Sequence, residues 1–451
     1  MNCANNKSRI VYASFDRFPS PKGAATHIDA FVRALGREFG GVELLTIPSE
    51  TIELTTMHPP AAGDCAHLNQ NSTTTEIPIW SAEGVTHHPI FTPGENLFER
   101  VLSFRSQSWK WWRQWFENGA RVAPVVHFRS IFEGYPIARK KEQFCNKIVF
   151  EVNGLPSIEL KYRYPRVADD IELLKKIEHQ EQVCLEAADL VLTVSNVNAT
   201  HLQQRGVEAA RIRVIPNGAD LNIFTYQLPK LNDGVEISEQ RPLKMLYSGT
   251  MSAWQGVPIA IEALALFRRD LPAKLTLVGP ALTRQKKDIL NHAWDLGVSD
   301  HVELLEPVSK PELSTLYHQA DVIVAPLSAN DRNLVQGCCP LKVIESMASG
   351  TPVIASDLPV VCELAMGDSE AILVRAGSAK AIKDGIFRLV NEKQLASQLS
   401  HAARKRVEQD FTWSKAQESL IAAYHELLGP EGFSEDTRVK SSVSRSASKP
   451  S

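Results

Sequence analysis

The densest set of groups able to hold a charged ligand lies in GCCPLKVIESMASGTPVIASD, from Gly337 to Asp357. A turn containing Gly337 and closing on Pro340 leads into a short helix expected over Leu341 to Ser349. Pro is favoured in a first turn, where the missing N–H costs nothing, and Gly350 stands where a helix stops. A buried strand, Pro352 to Ser356, follows at once, with Asp357 after it. Backbone N–H groups at such a helix start take a phosphate, and Glu345, in the first turn and a half, can accept from ribose hydroxyls. The plainer use of Glu345 is to complement the helix dipole, worth about 0.3–1 kcal/mol on a surface. The other motifs of the chain weigh toward a nucleotide cradle.

Further candidates sit at the ends of expected strands. Lys22-Gly23-Ala24 makes a tight turn between a first strand, Arg9 to Phe15, and a helix whose apolar positions Ala24, Ile28, Phe31, Val32 and Leu35 share one face. In an open parallel sheet ligands bind at the carboxyl ends of the strands, so this turn is expected to face a cleft. The strand-like VVHFRS brings His127 and Arg129 to a strand end; His127 reads as a core residue, Arg129 as an anion partner. Two more strands finish in Asn153-Gly154 and in Pro216-Asn217-Gly218.

The elements that position these groups alternate along the whole chain. Strands are expected at Val42 to Ile47, Lys147 to Val152, LVLTVS and Ile212 to Ile215, with helices over Val167 to Ala188 and near Val197 to Arg205. A polar stretch from Pro48 to about Ala82 reads as a long surface loop, and Pro229 to Pro242 as a linker. The alternation then restarts with LKMLYSG, a loop from Thr250 to Gly256, a helix over Val257 to Arg269, KLTLVG, HVELLE, a helix over Pro311 to His318, and DVIVAPL. Two successive α/β units imply two Rossmann-like domains facing each other across a cleft. The expected division is 1–222, a linker at 223–241, a second domain at 242–408, a final helix at 409–428 and a Ser/Lys/Arg-rich disordered tail at 429–451. Glu95 to Glu117 is helical and contains WKWWRQWF, with Trp109, Trp112 and Phe116 on one face and Lys110, Arg113, Gln114 and Glu117 opposite. A basic helix with several Trp can lie on a membrane surface; packing of that face on the sheet is the favoured account.

Composition removes several functions. With 451 residues and a net charge of −3, the chain is of ordinary globular type and no nucleic-acid partner is implied. Seven cysteines occur without a paired or zinc-type spacing, Cys338-Cys339 being the one adjacent pair, which suits reduced thiols in the cytosol. The first residues hold too short an apolar run for a signal peptide, and no run approaches the ~18–20 residues of a membrane span. GxGxxG is absent, against a nicotinamide or flavin dehydrogenase.

Taken together, PSPKGAATHIDAFVRAL, VSNVNATHL, RIRVIPNGADLNIF, YSGTMSAWQGVPIAIEAL, LTLVGP, HQADVIVAPL and PLKVIESMASGTPVIASD resemble the retaining family 4 glycosyltransferases of GT-B fold. The likeness covers nearly the whole chain to Leu428, with FTWSKAQESLIAAYHEL similar to the family's last helix, which crosses back onto the first domain. It implies transfer of a sugar from a nucleotide-diphosphate donor to a sugar or lipid-linked acceptor, without a cofactor and without a metal, in glycan, exopolysaccharide or glycolipid synthesis. The expected location is cytoplasmic, or peripheral at the inner membrane face. Glu345 matches the second Glu of the family's Glu-(seven residues)-Glu motif, which holds the ribose. Gly23, Leu341 and Lys342 would meet the diphosphate, and Gly249, Thr250, Gln255, Gly256, Pro340 and Asn217 would surround the donor. Three departures stand out. Gly337 occupies the position of the first Glu. Thr250 and Gln255 replace a usual Arg and Lys, leaving Lys342, Arg332 or Arg129 to meet the diphosphate charge. Asn153 stands where many relatives carry a His. An inactive nucleotide-sugar-binding partner subunit, or another enzyme on the same fold such as a sugar-nucleotide epimerase, are the competing readings.

Overall fold

The computed structural model describes residues 10–20, 22–49, 80–119, 122–232 and 236–429. Most of the expected 48–82 loop and the tail beyond 429 lie outside these residues. The first sheet contains Ile10–Arg17 (β1), Val42–Ile47 (β2), Val85–Pro89 (β3), Ala123–Phe128 (β4), Cys145–Val152 (β5), Leu190–Thr193 (β6) and Ile212–Val214 (β7). The second holds Leu243–Ser248 (β8), Ala273–Val278 (β9), Val302–Leu305 (β10), Val322–Ala325 (β11), Val353–Ser356 (β12) and Ile372–Val374 (β13). Their orders are β3-β2-β1-β4-β5-β6-β7 and β10-β9-β8-β11-β12-β13, and every pair is parallel. Both faces of such sheets are covered by helices, so central strands are apolar without alternation; the first five residues of β1 and all of β2, β6, β11 and β12 are buried.

Chain order reverses between β1 and β4 in the first sheet and between β8 and β11 in the second. These switch points open a crevice at the carboxyl ends of the strands. The turn after β1 leads into α1 (Gly23–Phe39), whose buried face includes Ile28, Phe31, Val32 and Leu35. The two domains are tied at their backs by the final helix. Thr412 caps it, its hydroxyl accepting from the Lys415 N–H. The helix Trp413–Leu428 buries Ala416, Leu420, Ala423 and Tyr424 in the first domain's core. Tyr424 Oη lies 2.8 Å from His127 Nδ1, so this last described helix returns to the first sheet, as the resemblance implied.

The tryptophan-rich segment forms α2 (Leu97–Glu117) and packs inward. Trp112 is buried, stacked on Phe116 and edge-on to Phe144, while Lys110, Arg113, Gln114 and Glu117 face outward. Trp109 is half exposed. Trp112→Ala is therefore expected to lower unfolding stability by about 3–5 kcal/mol, the usual loss for a large buried aromatic. Chemical denaturation measures it; unchanged stability would make the ring a surface group. No helix among the described residues is long and apolar enough to cross a membrane.

Candidate active site

The carboxyl edges of the two sheets enclose a cleft of about 940 Å3. From the first domain Gly23, Arg129, Asn153 and Asn217 line it. From the second come Gly249, Thr250 and Gln255 on the loop after β8, and Pro340, Leu341, Lys342 and Glu345 around α3 (Leu341–Ser349). Gly256 is the exception among the residues singled out. It adopts φ +70°, a Cβ there would stand 1.8 Å from the Pro326 carbonyl oxygen, and it turns the chain into the helix Val257–Phe267. The turn by itself accounts for a glycine at this position.

Two helix starts face the same space. Neither Lys22, at the head of α1, nor Pro340, at the head of α3, supplies a side-chain cap, so the first N–H groups of both helices are open to an anion. They are close together: a Cβ on Gly23 would lie 3.2 Å from Leu341 Cδ1 across the cleft.

Lys342, in the first turn of α3, is almost wholly buried. Its ammonium donates to Gln255 Oε1 and lies 4.1 Å from the centre of the Tyr247 ring. Burial pulls its pKa down to about 7, against the weaker opposing pull of Cys338 and Glu345. Gly249 makes room for it, since a Cβ there would stand 3.1 Å from Nζ. The loop that lacks the family's lysine at Gln255 thus receives one from α3.

The other two cations are already engaged. Arg129 Nε pairs with Glu151 at 2.7 Å and Nη1 with Asp16 at 2.8 Å. Arg332 pairs with Glu159 at 3.0 Å and donates to the Gly337 carbonyl at 2.8 Å. The sequence left the three open; among the described residues only Lys342 has no carboxylate at hydrogen-bond distance. Arg129 lines the cleft with its charge shared between two carboxylates.

What Arg129 serves is a buried network centred on Glu151. That carboxylate accepts from Tyr12 Oη at 2.8 Å and from Asn153 Nδ2, and lies 3.1 Å from His127 Nε2. Burial would push its pKa up, but Arg129, His27 and His127 override this and hold it well below the carboxylate range. The network pins Asn153 by its amide nitrogen and leaves Oδ1 without a partner among the described residues. Asn217 is spent as a bridge between domains, 2.8 Å from His27 Nδ1 and donating to the Cys339 carbonyl at 2.9 Å.

Glu345 is buried at the cleft wall, where the Lys310 ammonium pairs with it and Tyr317 Oη donates to it at 3.4 Å. Neither Lys310 nor the Glu151 hub was singled out in the sequence. A charged residue inside the apolar strand IVFEV was the available signal for Glu151; Lys310, at the head of an ordinary capped helix, carries none. Gly337, in place of the first Glu, has φ +81°, and a Cβ there would lie 2.5 Å from Ser195 Oγ and 2.9 Å from the Asn198 nitrogen.

Two parallel-sheet domains meeting at a cleft on their carboxyl edges, with the last helix returned to the first, define an enzyme architecture of GT-B type. The chain belongs to glycosyltransferase family 4: residues 21–223 match the family model described as Glycosyltransferase Family 4 and residues 232–406 that of Glycosyl transferases group 1. Relatives include the D-inositol 3-phosphate glycosyltransferases of Paenarthrobacter aurescens, 22% identical over 62% of this chain and 69% of the relative, and of Pseudarthrobacter chlorophenolicus, 26% identical over 53% and 56%. Among solved structures, sucrose-phosphate synthase from Thermosynechococcus elongatus superposes with TM-score 0.70 at 20% identity, covering 93% of this chain and 99% of that one. Anabaena HepE in complex with UDP and glucose gives 0.65 at 15% identity, covering 93% and 100%. At these identities the superpositions establish the fold.

Proposed function

We propose that this protein transfers a glycosyl group from a nucleoside-diphosphate sugar to an acceptor hydroxyl with retention of anomeric configuration. The observation that carries the proposal is the convergence of two uncapped helix starts and an unneutralised lysine, Lys342, on one cleft. A diphosphate satisfies all three at once. Glu345 takes the ribose hydroxyls, with Lys310 giving up that carboxylate.

In the reaction the bond between the anomeric carbon and the leaving phosphate oxygen breaks. Lys342 and the amides at Gly23 and Leu341 stabilise the charge that develops there. The acceptor hydroxyl attacks from the same face, and a phosphate oxygen takes its proton, so no protein base is required. Closure of the domains excludes water that would otherwise hydrolyse the donor. Asn153, held by Glu151, lines the cleft on the side of the sugar or the acceptor. No Asp-x-Asp occurs in the sequence, and this mechanism needs no metal. The acceptor is a sugar, free or lipid-linked, in glycan, exopolysaccharide or glycolipid synthesis; the lipid-linked case places the enzyme peripherally at the inner membrane face.

A thermal-shift screen of nucleoside diphosphates and their sugars tests this, because a ligand that binds only the folded state raises its stability. At least one should stabilise the wild type. Glu345→Ala should weaken that ligand by about ten-fold or more, the worth of a charged hydrogen bond. A folded protein indifferent to every nucleotide and nucleotide sugar would end the proposal, and binding without any turnover would favour an inactive partner subunit.

A further inference from the structure

Position 337 cannot hold a carboxylate in this fold. Its backbone is left-handed and the space a Cβ would fill belongs to Ser195 and to the helix Asn196–Gln204. The carboxylates that do line the cleft are Asp16, Glu95, Glu133, Glu159 and Glu345. Asp16 is paired with Arg129, and Glu95 is exposed on the loop before α2. One oxygen of Glu133 accepts from the Arg129 and Ser130 N–H groups, and Glu345 is paired with Lys310. Glu159 differs from these in being gripped from the opposite domain: its Oε1 accepts from Gln336 Nε2 at 2.9 Å and from Arg332 Nη2 at 3.0 Å. Both donors sit on the turn that runs directly into Gly337.

The carboxylate lies flat over Gly154, whose Cβ, if present, would stand 2.6 Å from Oε1 and 2.7 Å from Oε2. Gly154 thus leaves the space that Glu159 occupies, next to Asn153. Oε2 has no partner among the described residues, and the side chain is one-third exposed. Lys342, Cys338 and Glu159 line the same cleft. A sugar extending from a diphosphate held at Lys342 enters the cleft that Glu159 lines.

We infer that Glu159, on the first domain, is the carboxylate that reads the hydroxyls of the donor sugar, aimed for that task by Arg332 and Gln336 of the second. The inference rests on the nucleotide-sugar reading above and adds to it a specificity residue carried by the domain opposite the nucleotide. Recognition of the sugar then requires both domains together, because the carboxylate is oriented only when the turn Arg332–Gln336 reaches it.

The test compares, by calorimetry on the full chain, the affinities for UDP, GDP and ADP with those for UDP-glucose, GDP-mannose and ADP-glucose. For the pair the wild type binds, Glu159→Gln should hold the bare diphosphate within about two-fold and lose about ten-fold or more against the sugar nucleotide. Gly154→Ala, which displaces the carboxylate without removing it, should do the same. Glu363→Gln loosens an interdomain contact off that turn, to the Asn196 and Val197 N–H groups, and should leave the ratio of the two affinities unchanged. If Glu159→Gln leaves both affinities intact, or weakens diphosphate and donor equally, Glu159 is only a strap between domains and the inference falls. If the wild type binds none of the six nucleotides, the proposed function falls and this inference with it.

Discussion

Lys342→Met is expected to lower kcat/KM by about a hundred-fold or more, the loss seen when a preorganised charge is taken from a developing anion in a water-poor site. The same change should make the ligand-free protein more stable. The ammonium is buried with an amide and a ring for company, an environment that disfavours its charge. Its pKa falls from 10.5 in the ordinary case to about 7 here. Between those values the unfolded chain binds a proton that the folded chain does not, so unliganded stability rises as pH goes from about 7 toward 10 and is lowest, as far as this group is concerned, below 7. Methionine removes that penalty, and a melting temperature higher by a few degrees is the expected sign.

Donor binding should show the reverse dependence. An anion prefers the protonated lysine, so a diphosphate raises the pKa on binding and takes up a proton above pH 7. Affinity should then fall as pH rises past about 7, approaching ten-fold per pH unit until the pKa of the complex is reached. Calorimetry of the nucleoside diphosphate between about pH 6 and 9, in buffers of different ionisation enthalpy, reads both the slope and the proton. A flat profile with no proton uptake would remove Lys342 from the diphosphate.

Gly337→Glu should not restore the family's missing carboxylate. It should force the domains apart and reduce kcat/KM by at least about a hundred-fold. A backbone at φ +81° and ψ 168° is a region almost confined to glycine and costs an L-residue about 1–3 kcal/mol by itself. The Cβ would also meet Ser195 Oγ at 2.5 Å and the Asn198 nitrogen at 2.9 Å, the hydroxyl and the amide that cap the helix Asn196–Gln204. Nothing flexible can move aside, since one neighbour is backbone and the other is the cap. Small-angle scattering should report an expanded particle, and Gly337→Ala should show the same direction with a smaller loss. Equal or improved turnover in Gly337→Glu would mean that the turn rearranges freely.

Much of this site could be read from one dimension because its parts are local. The turn at Gly23 and the helix start at Leu341 each follow from a few neighbouring residues, and Glu345 from its place a turn and a half into α3. Hydrophobic runs separated by amphipathic helices gave two parallel sheets, since buried strands and their covering helices leave their periods in the chain. The exact turn role of Gly256 was hidden, because the atom that forbids a side chain there is the carbonyl of Pro326, far along the sequence.

Charge was the harder quantity. Arg129 and Lys342 were equally plausible partners for a diphosphate while their surroundings were unknown. Asp16, 113 residues away, and Glu151 take the arginine's charge in the fold, whereas Lys342 meets the side-chain oxygen of Gln255, 87 residues away. The sequence by itself determined the two-domain α/β design and which loops reach the cleft, because periodicity and turn chemistry act over a few residues. Only the tertiary structure decided which cations remain unneutralised and which carboxylates are held across the domains, because pairing depends on separations in space that the order of residues does not encode.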